Sequence, residues 1–237
     1  MPVLQRDDAT IHYEEYGSGF PVLTLAPGGM HSSGGYWDGE VWNPVKQLTG
    51  FRLITMDQRN AGASTAPVTG AESWATYTAD QLAVLDHLGI ERCHVVGQCI
   101  GGPFILNLLR TAPERVARAV VLQTIGLDDN HQGFHDMFEH WRGEQVASHP
   151  EAGPAQWDAY RTALFGGDEV LFSVPAAFLP TIGTPLLVLQ GNDEHHPPSV
   201  SRLLAGSVPG ARLVEQWKGE EHLRATAARI QEFLTGS

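Results

Sequence analysis

Gly97-Gln98-Cys99-Ile100-Gly101 sets a thiol at the centre of a G-x-C-x-G pattern. The apolar run Cys93-His94-Val95-Val96 leads into it, and a helix-like stretch from Gly102 to Leu109 leads away. A strand, a one-residue turn and a helix in that order hold the central residue in a strained backbone conformation. Its side chain then stands free above the end of the strand. The flanking glycines fit because strand and helix approach too closely there for a Cβ. A thiolate in that position is a nucleophile. The competing reading is a tight connection with an inert, buried cysteine, and the rest of the chain decides between the two.

The chain has 237 residues, enough for one α/β domain with a single core. Hydrophobic residues make up 42% and charged residues 18%, which points to a globular protein. A net charge of -12 argues against nucleic acid and against an anionic membrane, since either needs a basic footprint. The first residues carry no apolar signal core, and no run is long enough to span a bilayer. Cys93 and Cys99 fall on one strand-to-turn segment, too close in sequence for a bridge. These features lead us to expect a cytoplasmic protein with a free thiol at Cys99.

The elements that must position Cys99 follow from patterning. Residues 10–16 alternate as an antiparallel strand near a sheet edge. Residues 21–26, 51–56, 93–96, 184–191 and 211–217 read as further strands. Residues 77–88 form an amphipathic helix, with Ala79, Leu82, Leu85 and Leu88 near one face. Residues 116–125 read as a passage from helix to strand ending in Ala119-Val120-Val121-Leu122, and a closing helix runs from about His222 to Leu234. Buried strands separated by helices imply a mostly parallel sheet covered on both faces, with ligands at the carboxyl ends of its strands. The segment 127–184 breaks this alternation. It is rich in aromatics, Phe134, Phe138, Trp141, Trp157 and Tyr160 among them. We expect a small helical lid there, set between core segments 1–126 and 185–237.

At this point the chain resembles the α/β-hydrolase family over nearly its whole length. Gly97-Gln98-Cys99-Ile100-Gly101 is similar to the family's G-x-S-x-G, with cysteine for serine. Pro27-Gly28-Gly29-Met30 falls where the family carries its oxyanion loop. Asp57-Gln58-Arg59-Asn60-Ala61-Gly62 resembles a D-x-R-G-x-G turn. Gly191-Asn192-Asp193-Glu194-His195-His196-Pro197 resembles the acid turn, and Gly219-Glu220-Glu221-His222 stands where the family places its histidine. The resemblance implies an α/β-hydrolase fold with a Cys99, His222 and Asp193 triad. Ile100 and either Gly29 or Met30 would supply oxyanion N–H groups. Glu194, Asp128 and Asp129 are rival acids, and His195 and His196 are rival bases. Trp37, Gln98, Phe134, Phe138 and Trp141 are candidate pocket residues. No metal and no cofactor is implied, because Glu194-His195-His196 lacks a separated third ligand.

A cysteine nucleophile whose pKa is lowered by His222 and a helix N-terminus acylates well on thioesters, lactones and activated esters. The pattern also resembles dienelactone hydrolases, which use cysteine in this fold, and the longer polyhydroxyalkanoate synthases. Three functions follow. The first is hydrolysis of a small ester, thioester or lactone through an acyl-enzyme. The second is carbon–carbon bond hydrolysis or acyl transfer. The third is ligand binding without catalysis. The partner in each case is a small molecule, and the oligomeric state is open, a homodimer included.

Overall fold

The computed structural model describes residues 2–236. Eight strands form one sheet: β1 (Val3–Arg6), β2 (Ala9–Gly17), β3 (Phe20–Leu25), β4 (Phe51–Met56), β5 (Cys93–Gln98), β6 (Val116–Leu122), β7 (Leu186–Leu189) and β8 (Arg212–Val214). Their order across the sheet is β1-β2-β4-β3-β5-β6-β7-β8. β1 and β2 pair antiparallel, as do β2 and β4, and every other neighbouring pair is parallel. β2 therefore lies one strand in from the edge, and the short β1, which patterning did not reveal, takes the edge itself.

Parallel strands buried on both faces read as continuous apolar runs, and all six residues of β5 are buried. Helices α1 (Pro44–Gln47), α2 (Trp74–His87), α3 (Gly101–Thr111), α4 (His131–Gln145), α5 (Pro154–Phe165), α6 (Pro198–Ser207) and α7 (Leu223–Thr235) complete the chain. One core gathers α2, α3, α4, α5 and α6 on one face of the sheet. A smaller core packs α7 and residues 37–48 on the other. The expected helix at the start of residues 116–125 is absent: β6 begins at Val116, behind a single 3-10 turn over Pro113–Arg115. Pro113 opens that turn, and the four apolar residues that close β6 need the interior.

The chain reverses its direction of growth across the sheet between β3 and β5. The segments leaving the carboxyl ends of these neighbours face each other across a crevice. One is the glycine-rich stretch 27–39, which winds into two 3-10 turns, Gly29–His31 and Gly34–Gly39. The other is the turn at Cys99. α4 and α5 lie between β6 and β7 and come down over this crevice.

Candidate active site

Cys99 has φ +59°, a left-handed conformation that is costly for a residue with a Cβ. Strand pairing holds it there, for its N–H donates to the Leu122 carbonyl and its own carbonyl accepts from the N–H groups of Gly102 and Ile125. The glycines on either side are sterically required. A Cβ on Gly101 would lie 2.7 Å from the Leu25 carbonyl oxygen, and one on Gly97 would lie 2.8 Å from the Gly101 carbonyl oxygen.

Backbone N–H groups of Ile100, Gly29 and Gly28 face the Cys99 sulfur. Ile100 caps α3, so its N–H belongs to the positive end of that helix. Gly28 and Gly29 both have positive φ, which glycine adopts without strain. The Met30 side chain packs into the core. α4 lies directly over this loop: a Cβ on Gly29 would lie 2.5 Å from the Met137 sulfur.

Burial pushes the Cys99 thiol up to about 11, outweighing the three N–H groups that favour thiolate. The nearby Glu40 carboxylate pushes the same way. This burial opposes the lowering expected from His222 and the helix N-terminus.

The acid turn and the histidine after β8 are not joined to each other here. Asp193 Oδ1 lies 2.6 Å from His196 Nδ1 and accepts the His196 backbone N–H at 3.0 Å. Burial raises the Asp193 carboxyl, but His196 and Lys218 outweigh it and bring its pKa below the usual value. Burial also lowers the pKa of His196 in spite of Asp193. His196 is therefore a neutral imidazole that donates Nδ1–H to a carboxylate. Its Nε2 is buried without a hydrogen-bond partner. His222 sits in a surface cleft with Glu215, Gln216 and Arg229, its Nε2 3.7 Å from Glu221 Oε1. His195 lies edge-on to Phe134 at 5.5 Å. Among the rival acids, Asp128 accepts from the Ser199 hydroxyl, and Asp129 turns the chain at φ +57°. Glu194 offers only its backbone carbonyl, to Asn130.

The expected pocket residues divide. Phe134, Phe138 and Trp141 are fully buried and pack ring against ring with Phe165, Tyr160 and Trp157. They are the packing face of α4 against α5. Trp37 is buried beside Trp42, ring centroids 6.0 Å apart. Gln98 is buried next to Cys99 in sequence and donates its Nε2–H to Glu40. Sequence reasoning missed Glu40, which sits after a 3-10 turn in a loop without periodicity. No group of three or more His, Cys, Asp or Glu residues among those described is arranged to hold a metal ion. No helix there is long and apolar enough to cross a membrane.

A mostly parallel sheet covered by helices, with a strained residue at the strand-to-helix turn of its central strand, defines a class of α/β enzymes. Residues 21–175 match the alpha/beta hydrolase fold family, and the chain belongs to it. A putative carbamate hydrolase, RutD, of Azorhizobium caulinodans is 28% identical over 100% of this chain and 97% of its own. The 2-hydroxy-6-oxo-6-phenylhexa-2,4-dienoate hydrolase of Comamonas testosteroni is 32% identical over 52% of this chain and 43% of its own. The enol-lactonase structure from Burkholderia xenovorans superposes with a TM-score of 0.72 at 20% identity, covering 99% of this chain and 100% of its own. At that identity the likeness is one of fold.

Proposed function

We propose that this protein hydrolyses a small ester, thioester or lactone through an acyl-enzyme on Cys99. The observation that carries this reading is the strained Cys99 with the N–H groups of Ile100, Gly29 and Gly28 turned toward its sulfur. The sulfur attacks the acyl carbon as its proton passes to a base. The N–H donors stabilise the oxyanion, and the alcohol, thiol or ring oxygen leaves with a proton. Water then cleaves the thioester, the acid departs and the sulfur regains its proton. Because the thiol stays protonated at neutral pH, a base must act in every turnover.

His222, with Asp193 as its acid, is the base implied by chain order; reaching Cys99 requires the segment 217–222 to move inward. His196 is the second candidate, favoured by its bond to Asp193 and its unpartnered Nε2. The test is intact-protein mass spectrometry with p-nitrophenyl esters, acyl thioesters, lactones and carbamates, alongside pH profiles of kcat/KM. Cys99→Ala is expected to abolish both adduct and turnover; full activity in that variant would remove Cys99 as nucleophile. Loss of turnover in His222→Ala with little change in His196→Ala identifies His222 as base, and the reverse identifies His196. If His196 serves, the acid limb lies below the ordinary histidine value of about 6.5, because its lowered pKa keeps it neutral further into acid. Carbon–carbon cleavage, suggested by the Comamonas relative's name, would appear as turnover of a dienoate without ester hydrolysis.

A further inference from the structure

We propose that α4 supports the oxyanion donors. Met137 is the positioning residue that holds the Gly29 N–H toward Cys99, and Glu144 secures the same loop through His31. This rests on the acyl-hydrolase reading above. Two consecutive glycines, Gly28 at φ +108° and Gly29 at φ +56°, carry N–H groups that face the Cys99 sulfur. Glycine reaches many backbone conformations at little cost, so two glycines do not by themselves fix the direction of an N–H. Their surroundings must do it.

Part of the hold is local. The Gly28 carbonyl accepts from the His31 N–H at 3.0 Å, and the Gly29 carbonyl accepts from the Ser32 N–H at 3.1 Å. The Ser32 hydroxyl donates to the Ala26 carbonyl at 2.6 Å. The Tyr36 ring lies against Gly28, where a Cβ would meet it at 2.7 Å. These partners all belong to residues 26–36 and can move with the loop. α4 supplies the hold from outside. The Met137 sulfur occupies the space a Gly29 side chain would need. Two turns further along α4, Glu144 Oε2 lies 2.5 Å from Nε2 of His31, the last residue of the 3-10 turn that Gly29 opens. Met137, His140 and Glu144 follow one another at helical spacing, and His140 Nε2 is 3.5 Å from Glu144 Oε1. The adjoining stripe, Phe134, Phe138 and Trp141, is buried against α5. The helix that carries Met137 is therefore anchored in the core, and the glycine pair leans on it. Without that support the local hydrogen bonds can persist while the N–H groups swing away from the sulfur.

The test compares two reactions of Cys99 at pH 9, each followed by peptide mass spectrometry. With p-nitrophenyl acetate the thiolate attacks the acyl carbon, an oxyanion forms and p-nitrophenolate leaves. With iodoacetamide the thiolate displaces iodide and no oxyanion forms. Both consume the same thiolate, so the ratio of acylation to alkylation cancels the ionisation and exposure of the sulfur and reports the N–H donors. The wild-type ratio is expected to exceed that of 2-mercaptoethanol. Met137→Ala is expected to lower it at least about tenfold, part of the roughly hundredfold or greater loss that follows removal of one donor. Met137→Leu refills the volume and should stay within about threefold of the wild type. Glu144→Gln removes a half-exposed ion pair and should lower the ratio about threefold; it serves if Met137→Ala does not fold. A high wild-type ratio unmoved by Met137→Ala, or by Glu144→Gln where that variant stands in, overturns the support and leaves the acyl-enzyme reading standing. So does a ratio that falls as far in Met137→Leu as in Met137→Ala. A wild-type ratio no higher than that of the free thiol overturns both. An adduct that forms with the expected ratios but never clears keeps the support and rejects hydrolysis.

Discussion

Cys99 faces two opposing demands. The strained turn and its N–H donors suit a nucleophile, yet burial pushes the thiol up to about 11, against an ordinary 9.0. The difference of two units makes the thiolate fraction at neutral pH roughly a hundredfold smaller than for an ordinary thiol. Iodoacetamide should therefore modify Cys99 at pH 7.5 about a hundredfold more slowly than a small free thiol. The rate should climb with pH up to about 11. Peptide mass spectrometry resolves Cys99 from Cys93, whose thiol burial pushes up to about 12. A Cys99 that alkylates as fast as a free thiol at pH 7.5 would mean that a histidine reaches it in solution. The Glu40 carboxylate acts in the same direction, opposing ionisation of the sulfur.

At the scale of elements, the elbow depends on β3, β5 and α3 approaching more closely than side chains allow. Gly101→Ala would drive a methyl against the Leu25 carbonyl and should cost roughly 1–3 kcal/mol in urea unfolding. Gly35→Ala, where a Cβ meets nothing within 4 Å, should be near neutral. Equal effects from the two would show that strand and helix can separate. That close approach is also why the elbow was legible in sequence: a buried run, two glycines and a helix-like stretch each report a local constraint. The long strands were legible for the same reason. β1 was not, since Val3–Arg6 is short and half exposed at an edge. The partners of the site were the least legible. Asp193 joins His196 three residues away, and Glu40 reaches Gln98 across 58 positions. Neither pairing leaves a periodic trace, because each is set by where loops settle after the sheet has formed.

At the scale of the whole molecule, the aromatic segment between β6 and β7 is joined to the sheet's own helices without a seam. Trp74 of α2 packs edge-on to Phe104 of α3 and to Phe165 of α5. Its indole N–H donates to the Leu164 carbonyl at 3.2 Å. Tyr77 and Tyr160 share a buried hydrogen bond between α2 and α5, and the Ser173 hydroxyl donates to the Pro103 carbonyl at 2.8 Å. A segment tied by this many buried contacts pays for opening with the same core that holds the domain together. We therefore expect thermal or urea unfolding to be a single transition, with coincident near-UV and far-UV circular dichroism. Tyr160→Phe strands the Tyr77 hydroxyl and should lower the whole transition by about 1–2 kcal/mol, a few degrees in Tm for a chain of this size. An early transition confined to the aromatic near-UV signal would instead reveal a lid that opens by itself. Access to Cys99 would then be through α4 and α5 lifting together.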